Sequence, residues 1–173
     1  VLQRRPVVGD AELQLGRPND AVQVLVEVVA QIRSRGMQRQ FVYQIAMLAT
    51  AHIVAGDAQA AGPDLHEAVA LLRGEGALWW LGDSLGRVAA RRGDFDAAAR
   101  LQGWAMARTA ERGDRRGPVM QAESERLAAE LAPRLDAERL RTLQAEGALL
   151  DDAAVAALAL GAAPMEPPSR RVP

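Results

Sequence analysis

The chain has no cysteine, which excludes both a disulfide framework and a thiolate metal site. His52 and His66 are its only histidines, and two imidazoles do not make a zinc site unaided. Lysine is missing too: all 21 basic residues are arginine, against 22 acidic ones, for a net charge of −1. So even a balance exerts no general pull on nucleic acid or on an anionic membrane surface. No apolar run approaches the roughly 20 residues that span a bilayer, and the segment after Arg4 and Arg5 lacks the apolar core of a signal peptide. A phosphate-binding Gly-x-x-x-x-Gly-Lys loop, a nucleophile–base pair and metal-ligand spacing are all missing. The expectation is a cytoplasmic, non-enzymatic chain with no cofactor, no metal, no membrane contact and no direct nucleic-acid contact. It opens on Val1 rather than Met and reads as a piece of something longer.

Aromatic residues make up 3 % of the chain, while 49 % is hydrophobic, mostly alanine and leucine. That composition favours helices over strands. Glycine provides the punctuation. Gly16, Gly56 and Gly93 lie 40 and 37 residues apart, and fixed offsets from them carry similar residues. Eight and seven residues earlier stand Val8-Gly9, Leu48-Ala49 and Leu85-Gly86, each a large residue followed by a small one. Five residues later stand Ala21, Ala61 and Ala98, and twelve later Val28, Ala68 and Ala105. Small residues at such places let antiparallel helices approach closely.

The pattern predicts an all-α chain with a single domain over residues 1–160. It holds about three helix hairpins, over residues 7–35, 38–73 and 78–112, and capping helices over 118–160. Each glycine supplies the positive φ that stops a helix. Asp94 and Asp151 are N-caps, and Gly147 caps a helix that begins near Asp136. Gly62-Pro63 predicts a kink or a late start in the second helix of the middle pair. Val119, Leu127, Ala128 and Leu131 form the inward stripe of the helix opened by Pro118. Residues 161–173, with Pro164, Pro167, Pro168 and Pro173, read as a disordered tail.

These offsets resemble the tetratricopeptide repeat, most fully in the third pair, where Gly86, Phe95, Ala98 and Ala105 all fit its pattern. The resemblance implies an α-α superhelix. It departs from the pattern where Ile45 and Gly82 replace an aromatic residue, and where the closing proline is missing. A second resemblance covers residues 85–160, in the runs Arg92–Gly103, Glu123–Leu127 and Ala145–Leu160. They look like the C-terminal end of large bacterial transcriptional regulators. Those proteins join a winged-helix or cyclase domain to an ATPase module and a helical-repeat array. The implied role is a protein-interaction or ligand-sensing domain.

In tetratricopeptide arrays the first helix of each pair lines a concave groove. Carried over by offset from the turn glycine, the groove residues are Tyr43 and Thr50 in the second pair and Trp80, Asp83, Arg87 and Arg91 in the third. Arg87 and Arg91 are one helical turn apart. Beside Trp80 they are suited to holding a carboxylate or a peptide terminus. The competing reading is a solvated arginine face with tryptophan packed on a neighbouring repeat. The partner is then a protein or peptide in the groove. The alternative is a structural or oligomerisation module, including a homodimer, whose groove holds only a partner helix or its own tail. Helix capping and solvated helix faces account for Asp151-Asp152 and for Glu123 and Glu125. Of Trp79 and Trp80, adjacent on one helix, one belongs to the core and the other to a groove or dimer contact; both packed between repeats is the alternative.

Overall fold

A computed structural model describes residues 11–13, 15–74, 76–113 and 116–161. The first helix of the first hairpin falls mostly outside them, as does the proline-rich tail. Among the described residues there are helices and turns and no strand, so the fold is all-α. The helices are α1 (Pro18–Ser34), α2 (Val42–Ala55), α3 (Ala58–Gly74), α4 (Gly82–Arg91), α5 (Phe95–Arg112), α6 (Pro118–Leu131), α7 (Ala137–Ala148) and α8 (Asp152–Leu160). A 3-10 turn, Leu78–Leu81, precedes α4.

The glycine punctuation operates as read. Gly16, Gly56 and Gly93 have φ of 72°, 89° and 83°, the left-handed region where a side chain is disfavoured. Asp94 caps α5 by accepting from the Ala97 N–H at 3.0 Å, and Asp151 caps α8 by accepting from the Ala154 N–H at 2.7 Å. The small residues of the repeat, Ala21, Ala61 and Ala98, are fully buried. Around them α1 packs on α2, α2 on α3 and α4 on α5. Arg33 of α1 reaches across to Asp64 at 2.6 Å and to Glu67 on α3.

Five details differ from the sequence reading. The residues expected to begin a helix at Leu78 form the 3-10 turn instead. With three residues per turn, Leu78 and Leu81 fall on one side, and both are fully buried. Trp79 and Trp80, on the other sides, are each half-buried. Of the two alternatives at Gly62-Pro63 the late start is not found: α3 begins at Ala58 with Pro63 inside it, and the Asp57 carboxylate accepts from the Ala60 N–H at 2.9 Å ahead of it. Gly147 does not cap α7 but lies inside it, where a Cβ would run into the backbone of Arg100. On α6, Ala128 is exposed while Glu123 is buried, so the inward stripe is rotated toward charge. Finally, α2 begins at Val42, not Gln38, after a run of turns.

The C-terminal helices do not lie in one row. α6 packs on α4 and α5, α7 on α5, and α8 on α4 and α5. Helices α5 and α7 touch at two glycines: a Cβ on Gly103 would strike the backbone of Gln144, and one on Gly147 that of Arg100. Arg92 Nη1 and Nη2 donate to the Ala159 and Leu158 carbonyls, at 2.8 and 3.1 Å, covering the C-terminal end of α8.

Candidate functional site

Helix α4 is short, and nine of its ten residues are buried. Leu85 and Ala89 are fully buried on one face, as the helical spacing predicts, and the helix packs on α5. A second face carries Asp83 and Arg87, four residues apart, and α6 lies over it. Where α6 crosses, a Cβ on Gly86 would stand 2.5 Å from Leu127 Cδ2. The small residue seven before the turn glycine is therefore the seat of a leucine from α6.

The charges on this face are met by charges from the α6 region. Arg87 Nη1 donates to Glu123 Oε2 at 2.9 Å, and its Nε donates to Glu130 Oε1 at 3.1 Å. Arg126 Nη1 donates to the other Glu123 oxygen at 2.7 Å. Arg91 Nη2 lies 3.9 Å from Glu130 Oε1, at the exposed end of the seam. At the opposite end Arg116 Nη1 stands 2.7 Å from Asp83 Oδ2. The second Asp83 oxygen, Oδ1, is buried without a hydrogen-bond partner. Burial pushes the Asp83 carboxyl up to about 6, and Glu123 adds to the rise; Arg116 and the Ser124 hydroxyl pull the other way.

The remaining groove residues gather at the Asp83 end. The Thr50 and Ser84 hydroxyls are hydrogen-bonded at 3.1 Å, joining α2 to α4, and the Thr50 hydroxyl also donates to the Ala46 carbonyl. Tyr43 and Trp80 meet edge to face with ring centroids 5.0 Å apart. A cavity of about 10 Å³ lies among Met47, Thr50, Trp80, Asp83, Met120 and Glu123, room for about one water molecule.

The tetratricopeptide resemblance implied that Tyr43, Thr50, Trp80, Asp83, Arg87 and Arg91 line one groove. The fold sets Thr50, Trp80 and Asp83 around the cavity, with Tyr43 against Trp80. Arg87 follows one turn along α4, and Arg91 reaches only the rim. Asp83, Arg87 and Thr50 are not open to solvent; Tyr43 and Arg91 are. Glu123, expected on a solvated face, is 1 % exposed, because Arg87 and Arg126 hold one oxygen each. Arg116, Glu123 and Glu130 were not singled out as groove partners. The signal for the two glutamates is a seven-residue spacing, two helical turns, which stacks them on one face of α6; Arg116, ahead of the helix, carries no such signal. Trp79 is covered by Arg112, whose guanidinium carbon lies 5.2 Å from the ring centroid.

Chemically, this face pairs guanidinium with carboxylate and shields both. The cavity lining contains no imidazole; His52 is half-buried elsewhere on α2 and His66 is exposed. Among the described residues, no group of three His, Asp or Glu side chains is placed to hold a metal ion. No described helix is long and apolar enough to cross a membrane. No family model, no curated protein and no solved structure matches the chain.

Proposed function

We propose that this chain is a non-enzymatic helical-repeat interaction domain that holds a protein segment against the face bearing Tyr43, Thr50, Trp80, Asp83, Arg87 and Arg91. The observation that carries this reading is Arg87, with 4 % of its side chain exposed, held between Glu123 and Glu130 of a crossing helix. Such a face has the chemistry to receive a helix bearing carboxylates. Its setting as the interaction module of a larger bacterial transcriptional regulator in the cytoplasm rests on the resemblance of residues 85–160.

The second reading is a structural or oligomerisation module whose groove is filled for good by α6. Full burial of Leu127 and Leu131 favours it. The two separate by photo-crosslinking in cells from a benzoylphenylalanine placed at Tyr43, which is 41 % exposed. A heteromeric crosslink that disappears with Arg91→Glu supports the interaction domain. Crosslinks confined to residues 118–131 of the same chain support the structural module.

A further inference from the structure

The α4 face is occupied by the chain itself, and the way it is occupied identifies what else fits. Helix α6 buries two leucines completely, Leu127 and Leu131. Among its described side chains a third is buried and charged, Glu123. A seam built this way gains little net stability from its ion pairs, because desolvation offsets their attraction, yet it discriminates among partners. The two helices that follow it are anchored by other means. α7 sits on α5 through the Gly103 and Gly147 contacts, and Arg92 holds the end of α8. Neither anchor passes through α6. Gly113, at φ 63°, and Gly117 precede α6, and Pro133 follows it.

The internal fit is also incomplete. Asp83 is 4 % exposed, its Oδ1 has no partner, and the cavity beside it is unfilled by side chains from α2, α4 or α6. The charges presented to α4 are Arg116, two residues ahead of α6, and Glu123 and Glu130, two turns apart on it, with Leu127 and Leu131 between and after the glutamates. They meet an opposite order on α4: Asp83, then Arg87, then Arg91 at the rim.

We propose that residues 116–131 are a displaceable internal ligand, and that the partner of the α4 face is an amphipathic helix with the same pattern, two glutamates seven residues apart with leucines beside them and an arginine just ahead of its first turn. The proposal rests on the reading of this face as an interaction surface and names what it receives. The internal copy acts as a competitor at an effective concentration set by its short connections, on the order of millimolar. An outside helix therefore binds weakly until the internal one is loosened.

The test uses the full chain and, as probe, a fluorescein-labelled synthetic peptide of residues 114–134, read by anisotropy. Glu130→Gln, at the half-exposed end of the seam, loosens α6 with little risk to folding; Glu123→Gln/Glu130→Gln loosens it further. The expected result is at least tenfold tighter binding of the peptide to either variant than to the parent chain. Binding is lost when the peptide carries glutamine in place of Glu123 and Glu130. Absence of binding to both variants, with helical content retained by circular dichroism, overturns the proposal. So does a doubled sedimentation mass in the loosened chain that excess peptide fails to reverse, since the occupant is then a second copy. If a heteromeric crosslink from position 43 persists while the peptide is rejected, the interaction reading stands and only this partner chemistry fails. Loss of both removes both.

Discussion

Arg87 Nη1 stands 2.9 Å from Glu123 Oε2, with 4 % and 2 % of the two side chains exposed. The pair joins α4 to α6 out of reach of water. Its attraction is offset by the cost of desolvating both ions, so its presence adds little net stability, whereas its disruption leaves one charge stranded.

Glu123→Ala is therefore expected to cost up to about 3–5 kcal/mol, because it leaves the buried Arg87 with only the half-exposed Glu130. The apolar double variant Arg87→Met/Glu123→Leu should fall within about 1–2 kcal/mol of the parent, since neither member of the pair is left buried without the other. Urea unfolding of the two single variants and the double one measures the coupling. Additive losses would mean that the pair is not sealed.

Asp83 makes stability depend on pH in the direction opposite to an ordinary paired carboxylate. Its carboxyl is raised from 3.8 to about 6 in the fold, so the folded state binds the proton more tightly than the unfolded chain. The contribution is fully present below about pH 4 and is lost as pH rises through about 6. The shift corresponds to roughly 3 kcal/mol, to order of magnitude. Asp83→Asn, which stays neutral, should match the parent at pH 4 and exceed it at pH 7.5. Urea midpoints across that range check this, and parallel profiles for the two proteins would falsify it.

Gly147→Ala drives a methyl group into the backbone of Arg100, and Gly103→Ala does the same at Gln144. Backbone cannot move aside as a side-chain tip can, so each should cost at least about 1–3 kcal/mol. Gly86→Ala meets chiefly the flexible end of Leu127 and should loosen α6 selectively. Hydrogen exchange resolves the difference: α7 is the helix that loses protection in the first two variants, α6 in the third.

Arg92→Ala removes both donors from the last turn of α8. A cation at a helix C-terminus contributes about 0.3–1 kcal/mol, so the global effect is small. The expected outcome is faster amide exchange within residues 152–160 at nearly unchanged thermal midpoint. An unaltered α8 exchange profile would show that the cap is dispensable.

Most helices, the ends marked by Gly56, Gly93, Asp94 and Asp151, and most of the buried stripes were legible because they depend on neighbours a few residues away. A glycine forced to positive φ, an aspartate cap and a 3.6-residue apolar stripe are local, and Gly93, Asp94 and Leu85 behave as their positions dictate. The 3-10 turn at Leu78–Leu81 was less legible, since a run of Leu-Trp-Trp-Leu suits either helix type and burial of both leucines chooses between them.

Local spacing also placed Asp83 and Arg87 together on one side of α4, with Arg91 beyond them. Which atoms answer those charges is a long-range matter. Glu123, 36 residues from Arg87, reads along the chain as one acid on a solvated helix, and becomes a buried partner only when α6 crosses α4. Gly147 likewise reads as a helix stop until α5 comes within contact of it. Helix formation follows from short-range sterics and hydrogen bonding written into consecutive residues. The docking of one helix on another follows from the combined shape and charge of two distant surfaces, and only the folded chain sets those against each other.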